Sequence, residues 1–208
     1  MKKLILSVFC TYFIVLASCN ASNTKAYDAT YEDSVLLEQL KVKKSLATDE
    51  WNSVLYYYIR RNESIYMLIS SVESVNENFN PKILHELRKA LAEANLANIK
   101  GYGEDSLSVK ESTKHRTRIE NNLLKLLIEV EKDSVYKSNE HFRRFMKELD
   151  QNYKEIVSAR ENYNSKVESY NYLIESSKAE TNPVLIGFKK MSFIEVDSED
   201  MKAPKVKF

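Results

Sequence analysis

The stretch from Asn139 to Lys178 decides the fold, and its centre reads Ala159-Arg160-Glu161-Asn162-Tyr163-Asn164, then Val167, Tyr170-Asn171 and Ile174. Its apolar or large residues fall at Phe142, Met146, Leu149, Tyr153, Ile156, Arg160, Tyr163, Val167, Tyr170 and Ile174. The steps alternate between four and three. That is the heptad period, so one stripe of a long helix faces partner helices. At about 1.5 Å per residue, this helix is roughly 60 Å long. No other segment reads as long, so the remaining helices are expected to pack along it.

Working outward, the first clear helix reads from Thr48 to about Asn78. Thr48 is an N-cap candidate, and Asp49 and Glu50 suit the positive end of the helix dipole. Trp51, Leu55, Tyr58, Ile65, Ile69 and Val72 form its inner stripe. Tyr56, Tyr57 and Tyr58 cannot all face inward, so at least one is expected at the surface. Val35, Leu36, Leu37 and Leu40 read as a pre-helix or a frayed helix start. Asn80-Pro81 opens a second helix, with Asn80 as cap and Pro81 in the first position. It runs to Lys100 on Ile83, Leu84, Leu87, Leu91 and Ala94, and Gly101 stops it. The segment Gly101-Tyr102-Gly103-Glu104-Asp105 reads as a helix connection, since no Gly-Lys-Ser/Thr follows. A third helix starts between Ser108 and Thr117 and ends by Tyr136, with a core of Ile119, Leu123, Leu126, Leu127 and Val130. The expected fold is all-α: an up-and-down antiparallel four-helix bundle with long first and last helices and an extended C-terminal tail.

Three Gly and three Pro in 208 residues, with 43% hydrophobic, suit long uninterrupted helices in one domain. A net charge of +1 gives no basic excess for nucleic acid. Residues 1–18 read as a lipoprotein signal peptide. Lys2 and Lys3 precede an apolar run from Leu4 to Ser18, too short for a span of about twenty residues. The run ends in Leu16-Ala17-Ser18-Cys19, which resembles the bacterial lipobox, in which the cysteine is acylated. An uncleaved anchor helix and an ordinary secretory peptide are the alternatives. Cleavage would remove Cys10, leave Cys19 with its thiol used, and take the formal charge from +1 to −1 through loss of two lysines. Residues 19–33 then read as a polar tether, 34–178 as the bundle and 179–208 as a tail packing on it.

The run from Ala159 to Ser176, with Gly187-Phe188 and the terminal Ala203-Pro204-Lys205-Val206-Lys207-Phe208, resembles the LemA family of bacterial envelope proteins. Trp51, Arg60-Arg61, Ile65, Leu68 and Ile69 are similar to that family's first helix, and Asn139-Glu140-His141-Phe142 to the start of its last. The resemblance covers about residues 48–208. Tyr66-Met67 and Ser177-Lys178 stand where the family has Pro-Asn and Phe-Pro, so no proline kink is expected at Tyr66. The resemblance implies a location in the cell envelope, facing outside the cytoplasm, and no agreed molecular activity. Family members are typically held by an uncleaved N-terminal membrane helix.

Chemistry-bearing patterns are sparse. His85, His115 and His141 lie in separate segments, and His85-Glu86 lacks the second histidine of a zinc motif, so no metal or cofactor is expected. No Gly-x-Ser-x-Gly and no cysteine nucleophile is present, so no catalysis is expected. The basic cluster Lys110, Lys114, His115, Arg116 and Arg118 reads either as a face for anionic lipid or as a solvated helix end. The function that fits is a membrane-anchored, non-catalytic module binding envelope or membrane proteins. The alternative is a bundle with a pocket for a small molecule or lipid. Oligomeric state is not legible.

Arg160 occupies an inward position, where an isolated guanidinium is very costly. Asp49, Glu50 or Glu63 is expected to pair with it, unless its head snorkels outward. Asn164 and Asn171, seven apart, each follow a tyrosine of the inner stripe, Tyr163 and Tyr170. Asparagine disfavours helix interiors because its amide competes for backbone hydrogen bonds. One or both are therefore expected to hold the main chain of a tail folded back over 184–194, burying Val184, Leu185, Ile186, Phe188, Phe193 and Ile194. Gly187 would permit the close approach. Solvated asparagines and a loose tail are the alternative.

Overall fold

The computed structural model describes residues 31–100, 106–179 and 181–194. They form five helices and no strand: α1 (Tyr31–Val75), α2 (Pro81–Lys100), α3 (Ser106–Glu131), α4 (Ser134–Ser138) and α5 (Glu140–Ser176). None of the described helices is long and apolar enough to cross a membrane.

The last helix follows its heptad stripe. Asn139 caps it, its side chain accepting from the Phe142 amide at 2.9 Å. Phe142, Leu149, Tyr153, Ile156, Tyr163, Val167, Tyr170 and Ile174 are buried. It is not the longest element, however. It has 37 residues and α1 has 45. The first helix begins at Tyr31, well before Thr48, and its first-turn acids are Glu32 and Asp33. Thr48 lies inside it, its hydroxyl donating to the Lys44 carbonyl at 3.0 Å. The reason is tertiary. Leu40 and Ala47 are fully buried, and Asp33 accepts from the Asn182 side chain at 2.7 Å. The tail thus gives this part of α1 an apolar neighbour and a polar anchor, so residues 31–33 are helix rather than tether.

The two long helices pack along one another. Lys43 reaches Ser169, Trp51 meets Tyr163, Arg60 pairs with Glu155, and Ser64 accepts from Asn152. Partner numbers on α5 fall as those on α1 rise. Helix α2 packs against α3 with the boundaries expected at Asn80 and Pro81, and Asn80 caps it through the Lys82 amide at 3.1 Å. One helix was not foreseen. Asp133 caps the short α4 through the Val135 amide, so the chain turns twice between Glu131 and Glu140.

The core has two apolar clusters. One joins Ile65–Val72 of α1, Leu84–Ala94 of α2, Ile119–Val130 of α3, Tyr136 of α4 and Phe142–Tyr153 of α5. The other joins Leu40–Tyr58 of α1, Ile156–Ile174 of α5, and Ala179, Leu185, Met191 and Ile194 beyond it. Burial of this kind contributes roughly 25 cal/mol per Å² of apolar surface. Between the clusters lie Arg61, Asn62 and Ser64 of α1, Ser112 and Arg116 of α3, and Asn152 of α5, all buried.

Candidate functional site

Two arrangements of polar side chains stand out, and both are built on α5. The first holds the residues that follow it. Helix α5 ends at Ser176. The Ala179 amide donates to Ile174 and the Lys178 amide to Glu175, the pairing of a Schellman motif, with Lys178 at φ 50°. The chain then returns along α5 as a strap of extended segments and turns, with few bonds of its own. An extended segment carries main-chain N–H and C=O groups that need partners when buried. Asn171 supplies them at Met191, accepting from its N–H and donating to its C=O, both at 2.9 Å. Asn164 does the same at Ile194, at 2.9 and 2.8 Å. A side-chain amide has the donor and acceptor of a peptide group, so each asparagine stands in for a neighbouring strand. Tyr163 and Tyr170 add donors to the Ser192 and Lys189 carbonyls at 2.9 and 3.0 Å.

The strap hides Leu185, Met191 and Ile194. Val184 and Phe188 are partly buried. Ile186 and Phe193 stay exposed, contrary to the expectation that every apolar side chain there is hidden. Gly187 is not a point of close approach. A Cβ placed on it would meet nothing within 4 Å, and the nearby apolar contacts are those of Leu185 and Phe188. Trp51 is buried, its ring 5.4 Å from that of Tyr163. Tyr58 is buried and Tyr56 exposed, as the helical spacing requires.

The second arrangement is the polar layer between the clusters. Arg160 is wholly buried, so its head does not snorkel outward. Asp49 and Glu63 are exposed. The carboxylate favouring its charge is instead Glu120 of α3. Burial pulls the Arg160 guanidinium below its ordinary value; Tyr58 and Glu120 act against that, while Arg116 and Arg61 add to it. Arg61 Nη1 lies 3.7 Å from the same Glu120. Its Nη2 donates to Asn62 at 3.1 Å, and Asn62 in turn donates to Asn95 at 2.9 Å. The Tyr58 and Tyr153 rings stand 5.3 and 5.9 Å from its guanidinium carbon. Burial pushes the Tyr153 hydroxyl up to about 12, although Arg61 and Arg116 oppose the rise. It stays protonated at neutral pH, so it is no general base.

Arg116 is buried here too, so the basic cluster is not one face. Arg118 turns outward and pairs with Glu93 of α2. The inward register of Arg116 was readable, because it lies on the stripe Val109, Ser112, Arg116, Ile119 and Leu123. Among the described residues no His, Cys, Asp and Glu group suits a metal ion.

The heptad helix, the asparagine pairs and the terminal segment lie within a region, residues 50–208, that matches the LemA family model. The chain belongs to the LemA family. No curated protein matches its sequence. The LemA match leaves out the first nineteen residues of α1, although these pack into the same core. Cys19, Cys10, the tether up to residue 30, the 101–105 connection and the terminal Ala203–Phe208 lie outside the described residues.

Proposed function

We propose that this LemA-family chain is a lipid-anchored protein of the bacterial cell envelope, facing outside the cytoplasm. It acts as a non-catalytic helical module that docks envelope or membrane proteins. The falling partner numbers between α1 and α5 support an up-and-down antiparallel bundle as its form. The lipobox-like Leu16-Ala17-Ser18-Cys19 supports the anchor. Acyl chains on one residue bind firmly because each buried CH₂ contributes about 0.8 kcal/mol.

The observation that carries the docking role is an outward stripe on α1. Val35, Val42, Leu46, Tyr56 and Met67 are all exposed and lie on one series of alternating four- and three-residue steps. That spacing presents them along a single line, interrupted by Asp49, Arg60 and Glu63. A partner helix is the complement of such a line.

Two measurements test this. Cys19→Ala should abolish acylation and keep the chain at a different mature mass, and an unchanged mass removes the anchor. Val42→Glu with Met67→Glu should leave the melting curve intact while abolishing photocrosslinks formed from Tyr56. Identical crosslinks in the double variant remove the docking role. A groove of about 410 Å³ favours the second reading, a small-molecule or lipid site. Tyr66, Ser70, Ser71, His141 and Phe145 help line it. A co-purifying molecule retained by Val42→Glu and lost on Ser70→Trp would select that reading.

A further inference from the structure

The polar layer concentrates positive charge where water is excluded. Arg61, Arg116 and Arg160 are 2%, 5% and 0% exposed. A guanidinium does not shed its proton to escape burial, so each must be met by acceptors. Glu120 acts on Arg61 and on Arg160. Arg61 also has Asn62 and two aromatic faces.

Arg116 shares this need. Its Nε and Nη1 are buried and make no hydrogen bond to the protein. The side chain lines a small cavity between α1, α2 and α3, of about 10 Å³. Tyr58, Arg61, Asn62, Asn98 and Ser112 share the wall, and half-buried His115 stands with them. Every one of these side chains has an N–H or O–H to donate, and none of the described lining residues is acidic. The space takes one small occupant. A small cavity that is rich in donors and cationic suits a monatomic anion.

We propose that this cavity binds a halide-sized anion, chloride under cellular conditions, with Arg116 as its principal ligand. The anion accepts from Arg116 Nε and Nη1 and offsets the charge of the neighbouring guanidiniums. It thereby ties α3 to α1 where the two apolar clusters meet. Its role is structural linkage: the folded chain binds the anion and the unfolded chain does not, so stability follows anion concentration.

The test uses the full chain in detergent micelles. The melting temperature is followed as chloride replaces gluconate at constant ionic strength. A saturable rise is expected, reproduced by bromide. Arg116→Gln should raise the half-saturating chloride concentration by roughly tenfold or more, the loss of one charge-assisted contact. Equal melting in chloride and gluconate overturns the proposal, and so does an unaltered chloride response in Arg116→Gln. Sulfate stabilising at lower concentration than chloride overturns the size argument with it. Should Arg116→Gln fail to fold, bromide-soaked wild-type crystals decide. An anomalous peak in contact with Arg116 Nε and Nη1 is expected, and no peak there overturns the site.

Discussion

The two halves of the α1–α5 pair are covered by different means. Around Ile65–Val72 and Phe142–Tyr153, the cover is helical: α2, α3 and α4 bring Leu87, Leu91, Leu126 and Tyr136. Around Leu40–Tyr58 and Ile156–Ile174, much of it is the strap, which brings Leu185, Met191 and Ile194. A helix satisfies its own main chain and can cover a core with apolar side chains alone. An extended strap cannot, so polar groups must be placed on the helix beneath it. Asn164 and Asn171 are that requirement written into α5. One half is therefore sensitive to lost volume, and the other to lost hydrogen bonds.

The largest expected effect lies in the helix-covered half. Leu126 is fully buried among α1, α2 and α5 residues. Leu126→Ala should cost about 3 kcal/mol, the transfer term plus the cavity. Chemical denaturation should show a lower midpoint, and amides of α2 and α3 should lose protection together. If only local amides respond, the helices there do not share one core.

Next comes the boundary between that half and the polar layer. Tyr153 is buried, and its hydroxyl titrates near 12 in the fold against an ordinary value of 10.0. Between these values the unfolded chain has lost the proton and the folded chain retains it. Stability is therefore unaffected below about pH 10 and falls as pH rises toward 12, by roughly 2–3 kcal/mol in all. Tyr153→Phe should remove this part of the alkaline loss. A variant with the same alkaline profile as the wild type would show that Tyr153 ionises freely.

In the strap-covered half, Asn171→Ala strands the N–H and C=O of Met191. The expected cost is about 2 kcal/mol. It should appear as release of the strap rather than as global unfolding. Hydrogen exchange at Met191 and Ile194 should accelerate, while α2 and α3 amides stay protected. Loss of protection throughout would mean that the strap is integral to the whole fold.

How much of this was legible follows from where each instruction is stored. The α5 stripe and the α2 boundaries are local: a heptad of large residues and an Asn80-Pro81 start state them directly. The asparagine clamps were legible because two poor helix formers at heptad spacing contradict the helix around them. The start of α1 was not. Its inner side is carried by few apolar residues, and what covers Leu40 and Ala47 comes from more than a hundred residues later. The carboxylate favouring the Arg160 charge was missed because it sits on α3, whose placement periodicity does not encode. Arg116 was misread for another reason. Its stripe position was visible, but the basic neighbours Lys114, His115 and Arg118 made it look like surface.

The smallest expected effect sharpens the strap side from its starting point. Lys178 has φ 50° in the turn that ends α5, the left-handed region that costs an L residue about 1–2 kcal/mol. Glycine pays no such penalty there, but loses about 0.5–1 kcal/mol through the greater freedom of the unfolded chain. The Lys178 side chain is exposed and its main-chain bonds to Glu175, Thr181 and Asn182 need no side chain. Lys178→Gly should therefore stabilise by roughly 0.5–1 kcal/mol. The gain should fall on the strap, with slower exchange at the Ala179 and Leu185 amides and little change in α2 and α3. A loss of stability would mean that the turn is not held by the Schellman pairing, and that the strap is fixed by its asparagine clamps alone.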